Sequence, residues 1–569
     1  MLRLRNKLKK LAVPVLLLTG ILSFSFREDL FQASKNLDIF SALYKELNIS
    51  YVDDVNSSQL METGIGAMLN SLDPYTEFVP ESEIEDYKMK YVSTQYGGIG
   101  TLTFLRNGKI IVSETLEGFP AQKADIRAGD EIIEINGVIL KGKKYEQASQ
   151  LLKGPKSTPL KLVINRYGEN IVKNINRDEI TQPNVSYSAI LNNNIGYIKL
   201  DKFLESSAKE VQDALVQLQK SNPSGIILDL RSNGGGILQE AVKIVNLFVA
   251  PNITVVTQKG KNREKNIPYK TFSQPLAPNT PLVVLINNRA ASASEIVAGS
   301  LQDLDRAVVI GQRSYGKGLV QQTFNLPYNT LVKVTVAKYY TPSGRCIQAL
   351  DYTHRNSDGT VEKVADSLIT EYKTKGNRSV YDGSGIYPDI MVPALKLSPI
   401  SQTLLSKFYI FDYATLYRKQ KTSIPDPKIF KLSDAEYADF VNYLSDKDYN
   451  YNTRTERLLT ELKAEAEKEQ KLSEIKAEYD ALKNKVSVSK KNDLSQFKDE
   501  IRQLLENEIS SRYYFQKGRL ENGFNYDTDL KTAFNTLGNS NTYSSILQGN
   551  GSYKSIGKPT IGFSANSGK

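Results

Sequence analysis

The spacing of hydrophobic and polar residues changes several times along the chain, and each change predicts a different kind of structure. From residue 28 to about residue 89, apolar residues recur at helical spacing, interrupted by the proline turn LDPYT at 72–76. From about 91 to 166, short alternating runs such as TLTF, KIIVSETL and LKLVINR surround one helical segment, YEQASQLLKG. The sequence therefore predicts N-terminal helices followed by a small β domain.

Between residues 185 and about 392, strand-like and helix-like segments alternate. Strands are predicted at GYIKL, GIILDL, PLVVLIN and RAVVIGQ, and helices near 207–221, near 237–250 and from residue 292. Regular alternation of this kind is typical of an α/β layer structure. We therefore expect an α/β core in this region.

The pattern changes again after Pro399. Lys and Glu residues of balanced sign fill residues 448–519, and an apolar stripe at helical spacing runs through this part from Leu472 to Val486. The stripe fits either a short coiled coil or a charged helix packed on its own domain. From Gly538 the chain is rich in Gly, Ser and Asn, a composition that predicts disorder.

Composition narrows the kinds of chemistry that the chain can perform. With 569 residues it is too long for a single hydrophobic core, which favours several domains. Its net charge is +10, but no basic block alternates with aromatic residues, so no nucleic acid partner is expected. Cys346 is the single cysteine, which excludes an internal disulfide and a cysteine metal cluster.

The chain contains one histidine, His354, so any Ser-His or Cys-His catalysis would have to use this residue. It precedes the turn-forming residues NSDG at 356–359, and we expect it in an exposed loop. Zinc sites built from several histidines are excluded. A serine nucleophile in this chain would therefore need a different base.

The N-terminus has the pattern of an export signal. Five basic residues within the first ten positions precede an apolar run at 11–26. The run is short for a membrane-spanning helix, and no clear cleavage site follows it. We expect an exported protein of the cell envelope or periplasm, and the pattern leaves open whether residues 1–27 are a signal peptide or an anchor in the inner membrane.

Ser292 is the first candidate for chemistry. It follows the predicted strand PLVVLIN and a short turn, and it begins a predicted helix in which Ser292 and Glu295 form the capping-box pattern S-x-x-E. A helix cap alone would explain these two residues. The same geometry would also present the Ser292 hydroxyl in a crevice, where the Ala293 amide and the positive helix end could stabilise an oxyanion.

Lys317 lies 25 residues after Ser292, between Gly316 and Gly318. With histidine unavailable, a desolvated lysine can serve as the base for a serine nucleophile, because burial disfavours the ammonium form. An ordinary glycine turn that happens to contain a lysine is the alternative. Gln321 could orient Lys317 only if the chain bends at Gly318, because in an extended strand their Cα atoms would lie about 13 Å apart.

The segment DLRSNGGGIL at 229–238 ends a predicted strand with three glycines. It lacks the spacing of a Walker loop and of a dinucleotide-binding loop, so nucleotide binding is weakly supported. It fits either a plain tight turn or a turn that aims a second backbone N–H at the same oxyanion.

Taken together, these motifs resemble the bacterial carboxyl-terminal processing peptidases, which are PDZ-containing Ser/Lys serine proteases of the tail-specific protease type. The resemblance runs from about residue 52 to residue 390. It is carried by the motifs YVDDV, LNSLDPYTEF, YGGIG, GFPAQKADIRAGDEIIEING, DLRSNGGG, ASASEIVAGSLQD, GQRSYGKGLVQ and GSGIYPDI.

The resemblance implies a role for each candidate residue. Ser292 matches the family's nucleophile, Lys317 its general base and Gln321 the residue that holds the lysine. Ala293 and Gly236 match the oxyanion-hole donors. The family often has Asn-Pro-Gly-Gly where this chain has Asn-Gly-Gly-Gly at 233–236, so the choice of glycine donor stays open.

The resemblance also identifies residues 91–166 as similar to a PDZ domain. Such domains add the C-terminal strand of a ligand to a sheet edge and bind its carboxylate with backbone amides of a glycine loop. Gly98, Ile99 and Gly100 are the expected loop here. Without the resemblance, these residues would be interpreted as a glycine-rich turn that opens a β domain.

The implied fold is a crotonase-like and ClpP-like α/β protease core with an inserted PDZ domain and a mainly helical C-terminal extension. The expected boundaries are 1–27 for the signal or anchor, 28–89 for N-terminal helices, 90–170 for the PDZ domain, 171–395 for the protease core, 396–537 for the helical extension and 538–569 for a disordered tail.

The implied activity is a serine endopeptidase that cuts exported proteins near their C-termini and needs no cofactor or metal. Its expected partners are proteins or peptides with free C-termini; an activating adaptor, membrane association through the N-terminus and a homo-oligomer stay open. Two alternatives remain. One is a catalytically silent PDZ scaffold of the cell envelope, and the other is an acyl-CoA enzyme of crotonase-like fold, which the export signal opposes.

Overall fold

A computed structural model describes residues 31–92, 95–261, 263–355, 360–490 and 492–550, so the predicted export signal and anchor lie outside the described residues. Two compact units are distinguished. The first comprises the chain up to Glu81 together with Thr323–Val334, and the second comprises Ser82–Gln322 and the chain from Thr335. Within the described ranges, no helix has the length and apolar character needed to span a membrane.

The described part of the first unit contains two helices and a short strand, together with the parts of two later strands that lie within residues 323–334. Residues 31–50 are helical (α1), and α2 (Ser57–Asn70) and β1 (Glu77–Val79) follow. The predicted proline turn separates α2 from β1, and Asp73 stabilises it by accepting the N–H groups of Tyr75 and Thr76 at 2.8 and 2.9 Å. In this unit β1 pairs antiparallel with residues 331–333.

The second unit begins with a helix and a small β domain. Its main sheet has the strand order β3-β4-β5-β7-β8, with β6 attached to β5, and β2 pairs separately with β9. The elements are α3 (Ile84–Tyr91), β2 (Gln95–Gly98), β3 (Thr101–Arg106), β4 (Lys109–Thr115), α4 (Pro120–Lys123), β5 (Glu131–Ile135), β6 (Val138–Ile139), α5 (Tyr145–Leu152), β7 (Pro159–Arg166), β8 (Glu169–Asn176) and β9 (Asp178–Thr181).

This β domain extends further than the sequence suggested. β8 continues the sheet to Asn176, and β9 then returns to pair with β2. The expected boundary at residue 170 is therefore wrong, because it would cut β8 in two and leave β2 without its partner strand.

The α/β core is built on a six-stranded sheet of order β10-β11-β12-β15-β16-β23, in which β10 is antiparallel to β11 and the other neighbours are parallel. Every residue of β12, β15 and β16 is buried, as expected for parallel strands covered on both faces. The elements are β10 (Val185–Leu191), β11 (Ile195–Leu200), α6 (Ser207–Gln219), β12 (Gly225–Asp229), α7 (Leu238–Asn246), β13 (Thr254–Lys259), β14 (Pro268–Lys270), β15 (Leu282–Ile286), α8 (Ala293–Asp303), β16 (Val308–Gly311) and β23 (Ile390–Met391).

Further strands follow α8 and β16 in the chain. They are β17 (Leu319–Leu326), β18 (Thr330–Tyr340), β19 (Leu350–Arg355), β20 (Val361–Lys363), β21 (Glu371–Lys373) and β22 (Ser379–Tyr381). His354 lies in β19 and not in a loop. The turn predicted at 356–359 lies outside the described residues.

The C-terminal part is helical, as predicted. The helices are α9 (Pro399–Ser406), α10 (Tyr409–Gln420), α11 (Asp434–Tyr443), α12 (Arg454–Lys468), α13 (Leu472–Lys490), α14 (Asp493–Gln496), α15 (Lys498–Gly523), α16 (Thr528–Leu537) and α17 (Ser540–Gln548). A core of aliphatic and aromatic residues that includes Phe440, Ile501, Leu505 and Ile509 packs α9, α10, α11 and α15 together.

The last two helices cover the second face of the α/β sheet. Leu530, Ala533, Leu537 and Ile546 pack against sheet residues, while α6, α7 and α8 cover the opposite face. The disorder predicted from Gly538 is therefore wrong for residues 540–548, because burial of Ile546 stabilises a helix that the polar composition alone would not form. Residues 551–569 lie outside the described part of the chain.

Candidate active site

The candidate site lies where neighbouring parallel strands end. β12, β15 and β16 are adjacent in the sheet and parallel, so their carboxyl ends meet at one edge. The segments that follow these strands contain the three groups singled out from the sequence, which are the glycine turn at 233–236, Ser292 and Lys317. The topology therefore collects residues that are far apart in the chain.

Ser292 occupies the N-cap position of α8 and is 6% exposed. Its backbone has φ 57° and ψ −113°, a conformation that is unfavourable for a residue with a side chain. Such strain persists only where the surrounding structure enforces it, and it is common at active sites. The phenol of Tyr339, a residue of β18 that the sequence did not indicate, lies beside the Ser292 hydroxyl, which acts on the pKa of Tyr339.

Glu295 connects the start of α8 with the loop that contains Lys317. Its Oε2 atom accepts the backbone N–H of Ser292 at 2.9 Å and that of Lys317 at 2.8 Å. Its Oε1 atom accepts the N–H of Gly316 at 2.7 Å and the Ser314 hydroxyl at 2.5 Å. The backbone nitrogens of Ser292 and Lys317 consequently lie within about 6 Å of each other, since both donate to one oxygen atom.

The environment of Glu295 suits a carboxylate. Its side chain is fully buried, and burial raises its pKa above the ordinary value of 4.5. The hydrogen bonds from Ser314 and from three backbone N–H groups act in the opposite direction and lower the pKa. All four partners are donors, and an ionised carboxylate is the form that only accepts, so these contacts favour the charged form.

The two glycines around Lys317 allow another segment to pack directly on the loop. A Cβ atom on Gly316 would lie 2.4 Å from the Cβ of Ala349, and one on Gly318 would lie 2.7 Å from the backbone nitrogen of Gln348. Gly316 also has φ +89°. Both positions therefore require glycine, whereas Lys317 between them is half-buried.

Gln321 lies in β17, and its side-chain amide donates to the Thr335 hydroxyl at 3.2 Å. The chain between Gly316 and Gly318 is irregular, and the strand begins at Leu319. The role of Gln321 in orienting Lys317 stays a prediction.

The glycine turn packs against the first turn of α8. Gly235 has φ +94°, and a Cβ atom on it would lie 2.7 Å from the Ser292 Cβ and 2.8 Å from the Ala293 nitrogen. Two hydrogen bonds to buried Asn233 stabilise this approach. Its Oδ1 accepts the Gly235 N–H at 2.9 Å, and its carbonyl oxygen accepts the Ser294 hydroxyl at 2.8 Å.

Two backbone N–H groups at this point are available to a ligand. Within the ranges that the structure describes, neither the Ala293 nor the Gly236 N–H donates to a protein acceptor, whereas the Gly235 N–H is used by Asn233. Ala293 is the first residue of α8, where an N–H without a helical partner is usual, so the role of these two N–H groups as oxyanion donors stays a prediction. Of the two glycines, Gly236 is the one with an open donor.

The motif GSGIYPDI packs against the loop that contains Lys317, on Ser314. The Ser314 hydroxyl accepts the Ile386 N–H at 2.6 Å, and a Cβ atom on Gly385 would lie 2.8 Å from the same hydroxyl oxygen. The sequence alone indicates no role for this motif. The structure assigns it the role of a support for the loop.

A buried ion network surrounds Asp229, which lies shortly before the glycine turn in the chain. Burial alone would raise the pKa of Asp229, but Arg231 and Lys199 outweigh this effect and the pKa is lowered from 3.8. Arg231 also pairs with Asp527 and Asp529 at 2.7 and 2.9 Å. The C-terminal helices are thereby tied to the segment that precedes the turn.

A second candidate site is the groove between β3 and α5 of the β domain. It encloses about 240 Å³ and is lined by residues that include Gly98, Ile99, Gly100, Leu102 and Leu152. In the described part of the chain the N–H groups of Ile99 and Gly100 have no protein acceptor, although Ile99 is 2% exposed. Gly98 is instead the last residue of β2 and lies opposite Asp178 of β9.

Sequence comparisons identify the domains that carry these two sites. The profile described as peptidase family S41 matches residues 194–354, that of the PDZ domain matches 93–165, and that of a probable PDZ-protease C-terminal helical domain matches 400–537. The carboxy-terminal processing protease CtpA of Bacillus subtilis is 32% identical over 64% of this chain and 83% of its own length. The chain belongs to the carboxy-terminal processing proteases of peptidase family S41.

A carboxy-terminal-processing protease of Bartonella bacilliformis is 34% identical over 56% of this chain and 74% of its own length. The solved photosystem II D1 C-terminal processing protease is 25% identical over 62% of this chain and 92% of its own, at a TM-score of 0.33, which is too low to support a structural correspondence.

Family membership settles the class of the protein. It is a serine-type peptidase with a PDZ domain that binds peptide substrates, and its fold is the expected α/β protease core with an inserted PDZ domain and a helical C-terminal region. The comparisons support neither the silent scaffold nor the acyl-CoA enzyme. Among the described residues, no group of three or more His, Cys, Asp or Glu side chains is arranged to hold a metal ion.

Proposed function

We propose that this protein is an exported Ser/Lys endopeptidase that cleaves proteins from near their C-termini, with Ser292 as the nucleophile and Lys317 as the general base. The observation that carries the proposal is the double hydrogen bond to Glu295 Oε2, which fixes the backbone of both residues on one buried atom. A structural role for either residue alone would not require this shared acceptor.

The reaction follows from the chemistry of these groups. The Ser292 hydroxyl attacks the carbonyl carbon of the scissile peptide bond, and Lys317 in its neutral form accepts the hydroxyl proton. Lys317 then returns the proton to the leaving amine, and water hydrolyses the acyl-enzyme. Gln321 orients the lysine, and the N–H groups of Ala293 and Gly236 stabilise the oxyanion of the tetrahedral intermediate.

Tyr339 is a positioning residue in this scheme. Burial raises the pKa of Tyr339 to about 12, so its phenol stays protonated at any pH at which the enzyme would be assayed. A neutral phenol beside the Ser292 hydroxyl can orient that hydroxyl but cannot serve as its base. The proton of Ser292 therefore passes to Lys317.

The C-terminus of the substrate is recognised by the PDZ groove. The buried N–H groups of Ile99 and Gly100 lack protein acceptors within the described residues, and a terminal carboxylate would satisfy both. Together with Gly98 they form the carboxylate loop. The basic and apolar N-terminal segment delivers the enzyme to the cell envelope, where exported proteins are its substrates.

The proposal is tested with an internally quenched peptide that ends in a free carboxylate. The wild-type protein should cleave it, and Ser292→Ala and Lys317→Ala should each reduce kcat/KM at least about a thousandfold while circular dichroism shows an unchanged fold. Ser221→Ala, at an exposed serine after α6, is the matched control and should cleave normally. Cleavage by Ser292→Ala near the wild-type rate would overturn the assignment.

A further inference from the structure

The PDZ groove contains a residue that does not belong to the PDZ domain. Most of its lining comes from β2, β3 and α5, but Lys202 also lines it. Lys202 follows β11 of the α/β core, beyond β9, the last strand of the PDZ domain. The groove is thus a composite surface that requires both domains.

Lys202 lines the same groove as Gly98, Ile99 and Gly100 of the carboxylate loop. Its Nζ atom donates to Oε1 of Gln182 at 3.1 Å. Gln182 directly follows Thr181 of β9, which lies opposite Gln95 at the start of β2, and β2 leads into the carboxylate loop. Lys202 therefore approaches the groove from the side of β2 and β9.

A second lysine lines the same groove. The Gly154 N–H donates to the Gly97 carbonyl oxygen at 3.1 Å, which holds the chain after α5 beside β2. Lys153 is the preceding residue, and it lines the groove as well. Its ammonium pairs with Asp86 at 2.8 Å, so part of its charge is already neutralised.

The charge of Lys202 is not neutralised in this way. The residue is exposed, its hydrogen-bond partner Gln182 is uncharged, and in the part of the chain that the structure describes its ammonium forms no ion pair. The groove lining contains no Asp or Glu. A cation that lines the same groove as the open N–H groups of Ile99 and Gly100 is complementary to an anion.

We propose that Lys202 of the protease core completes the carboxylate site of the PDZ groove and determines the preference for a free C-terminus. This inference rests on the proposed function, because it assumes that substrate tails enter the groove. The tail carboxylate would be bound next to Phe203, whose carbonyl oxygen accepts the Ile237 N–H at 2.6 Å and lies against Gly236. The segment of Lys202 and Phe203 would thereby contact both the bound tail and the glycine turn that contains Gly236.

The test measures binding in the full chain, so that it does not depend on catalysis. Ser292→Ala serves as the background, and a fluorescent peptide is titrated in two forms, one with a free C-terminal carboxylate and one amidated. The acid peptide should bind more tightly. Adding Lys202→Gln should lower the acid-to-amide affinity ratio about tenfold, the order expected for loss of one charge-assisted contact.

Lys220→Gln, at a lysine next to the end of α6 whose ammonium donates to uncharged Gln217, is the matched control for the loss of one positive charge. It should leave the ratio unchanged, and Lys202→Arg should retain most of it. An unchanged ratio in Lys202→Gln, or an equal fall in Lys220→Gln, would overturn the proposal. If Lys202→Gln lowers the ratio while the wild-type protein cleaves no peptide, the proposed catalytic function fails and the carboxylate site stands.

Discussion

Ser292 and Lys317 donate their backbone N–H groups to the same oxygen atom, Oε2 of Glu295, at 2.9 and 2.8 Å. The two residues are 25 positions apart in the chain and belong to segments that follow different strands. One buried carboxylate therefore holds both segments. Glu295 thus caps α8 and also holds the loop that contains Lys317, the candidate base.

Glu295→Gln should lower kcat about a hundredfold with a smaller effect on KM. An amide at this position has only one acceptor oxygen, and its NH₂ group would face backbone N–H donors, so the Lys317 loop would be displaced by a fraction of an ångström or more. The measurement is steady-state cleavage of a quenched peptide combined with thermal unfolding. Glu240→Gln is the matched control, since Glu240 is also buried and accepts a backbone N–H, that of Ala208 at 2.8 Å. Glu240→Gln should lose stability but keep kcat. An equal loss of kcat in both variants would contradict the role of Glu295 in positioning Lys317.

Lys317→Arg should be inactive, and the activity of the wild-type protein should increase with pH. Only a neutral amine can accept the Ser292 proton, and a guanidinium does not deprotonate in proteins. Tyr339 does not contribute to this pH profile, because its pKa is raised to about 12 by burial. His354→Ala should cleave with an unchanged profile. A folded but inactive His354→Ala variant would instead support a histidine-based mechanism.

Gly235→Ala should abolish activity and lower the melting temperature. The new Cβ atom would lie 2.7 Å from the Ser292 Cβ and 2.6 Å from the Ala291 carbonyl oxygen, so the start of α8 would have to move. We expect a cost of about 1–3 kcal/mol, part of it from the positive φ. Gly234→Ala is the control, since a Cβ there meets no atom within 4 Å, and it should retain activity. Equal activity of the two variants would contradict the packing of the turn against Ser292.

The Asp229 network should make stability dependent on acid pH. Burial would raise the pKa of Asp229, but Arg231 and Lys199 lower it below 3.8, so its contribution is present above that value and is lost as the pH falls towards the folded-state pKa. Asp229→Asn should melt at a lower temperature at pH 7, and the difference from wild type should shrink on acidification below about pH 4. A difference that stays constant with pH would show that the ion network does not stabilise this part of the fold.

The sequence allowed the main elements and the candidate residues to be predicted, because they depend on local patterns and on motifs. The S-x-x-E spacing indicated that Glu295 would bind the Ser292 N–H, which is a contact within one helical turn. It could not indicate the second bond to Lys317, which depends on how the segment after β16 packs on α8. Tyr339 was missed for the same reason, since nothing in its local sequence relates it to Ser292.

Composition gave the wrong result at the end of the chain. Residues 540–548 are polar enough to suggest disorder, but Tyr543 and Ile546 contact the α/β sheet, and the Tyr543 hydroxyl accepts the Leu282 N–H at 2.9 Å. Tertiary packing thus outweighs the weak local preference for a helix. The end of the β domain was placed too early because β9 pairs with a strand about 80 residues before it, a relationship that spacing cannot reveal.

The most direct test of the Ser/Lys mechanism is to trap the acyl-enzyme. The protein is mixed with an activated ester substrate, quenched in acid within milliseconds to seconds, digested and mapped by mass spectrometry, in parallel with Ser292→Ala and Lys317→Ala. We expect an acyl group on Ser292 of the wild-type protein, none at this position in Ser292→Ala, and strongly slowed acylation in Lys317→Ala. Acylation of another residue at the wild-type rate, or undiminished acylation of Ser292 in Lys317→Ala, would contradict it.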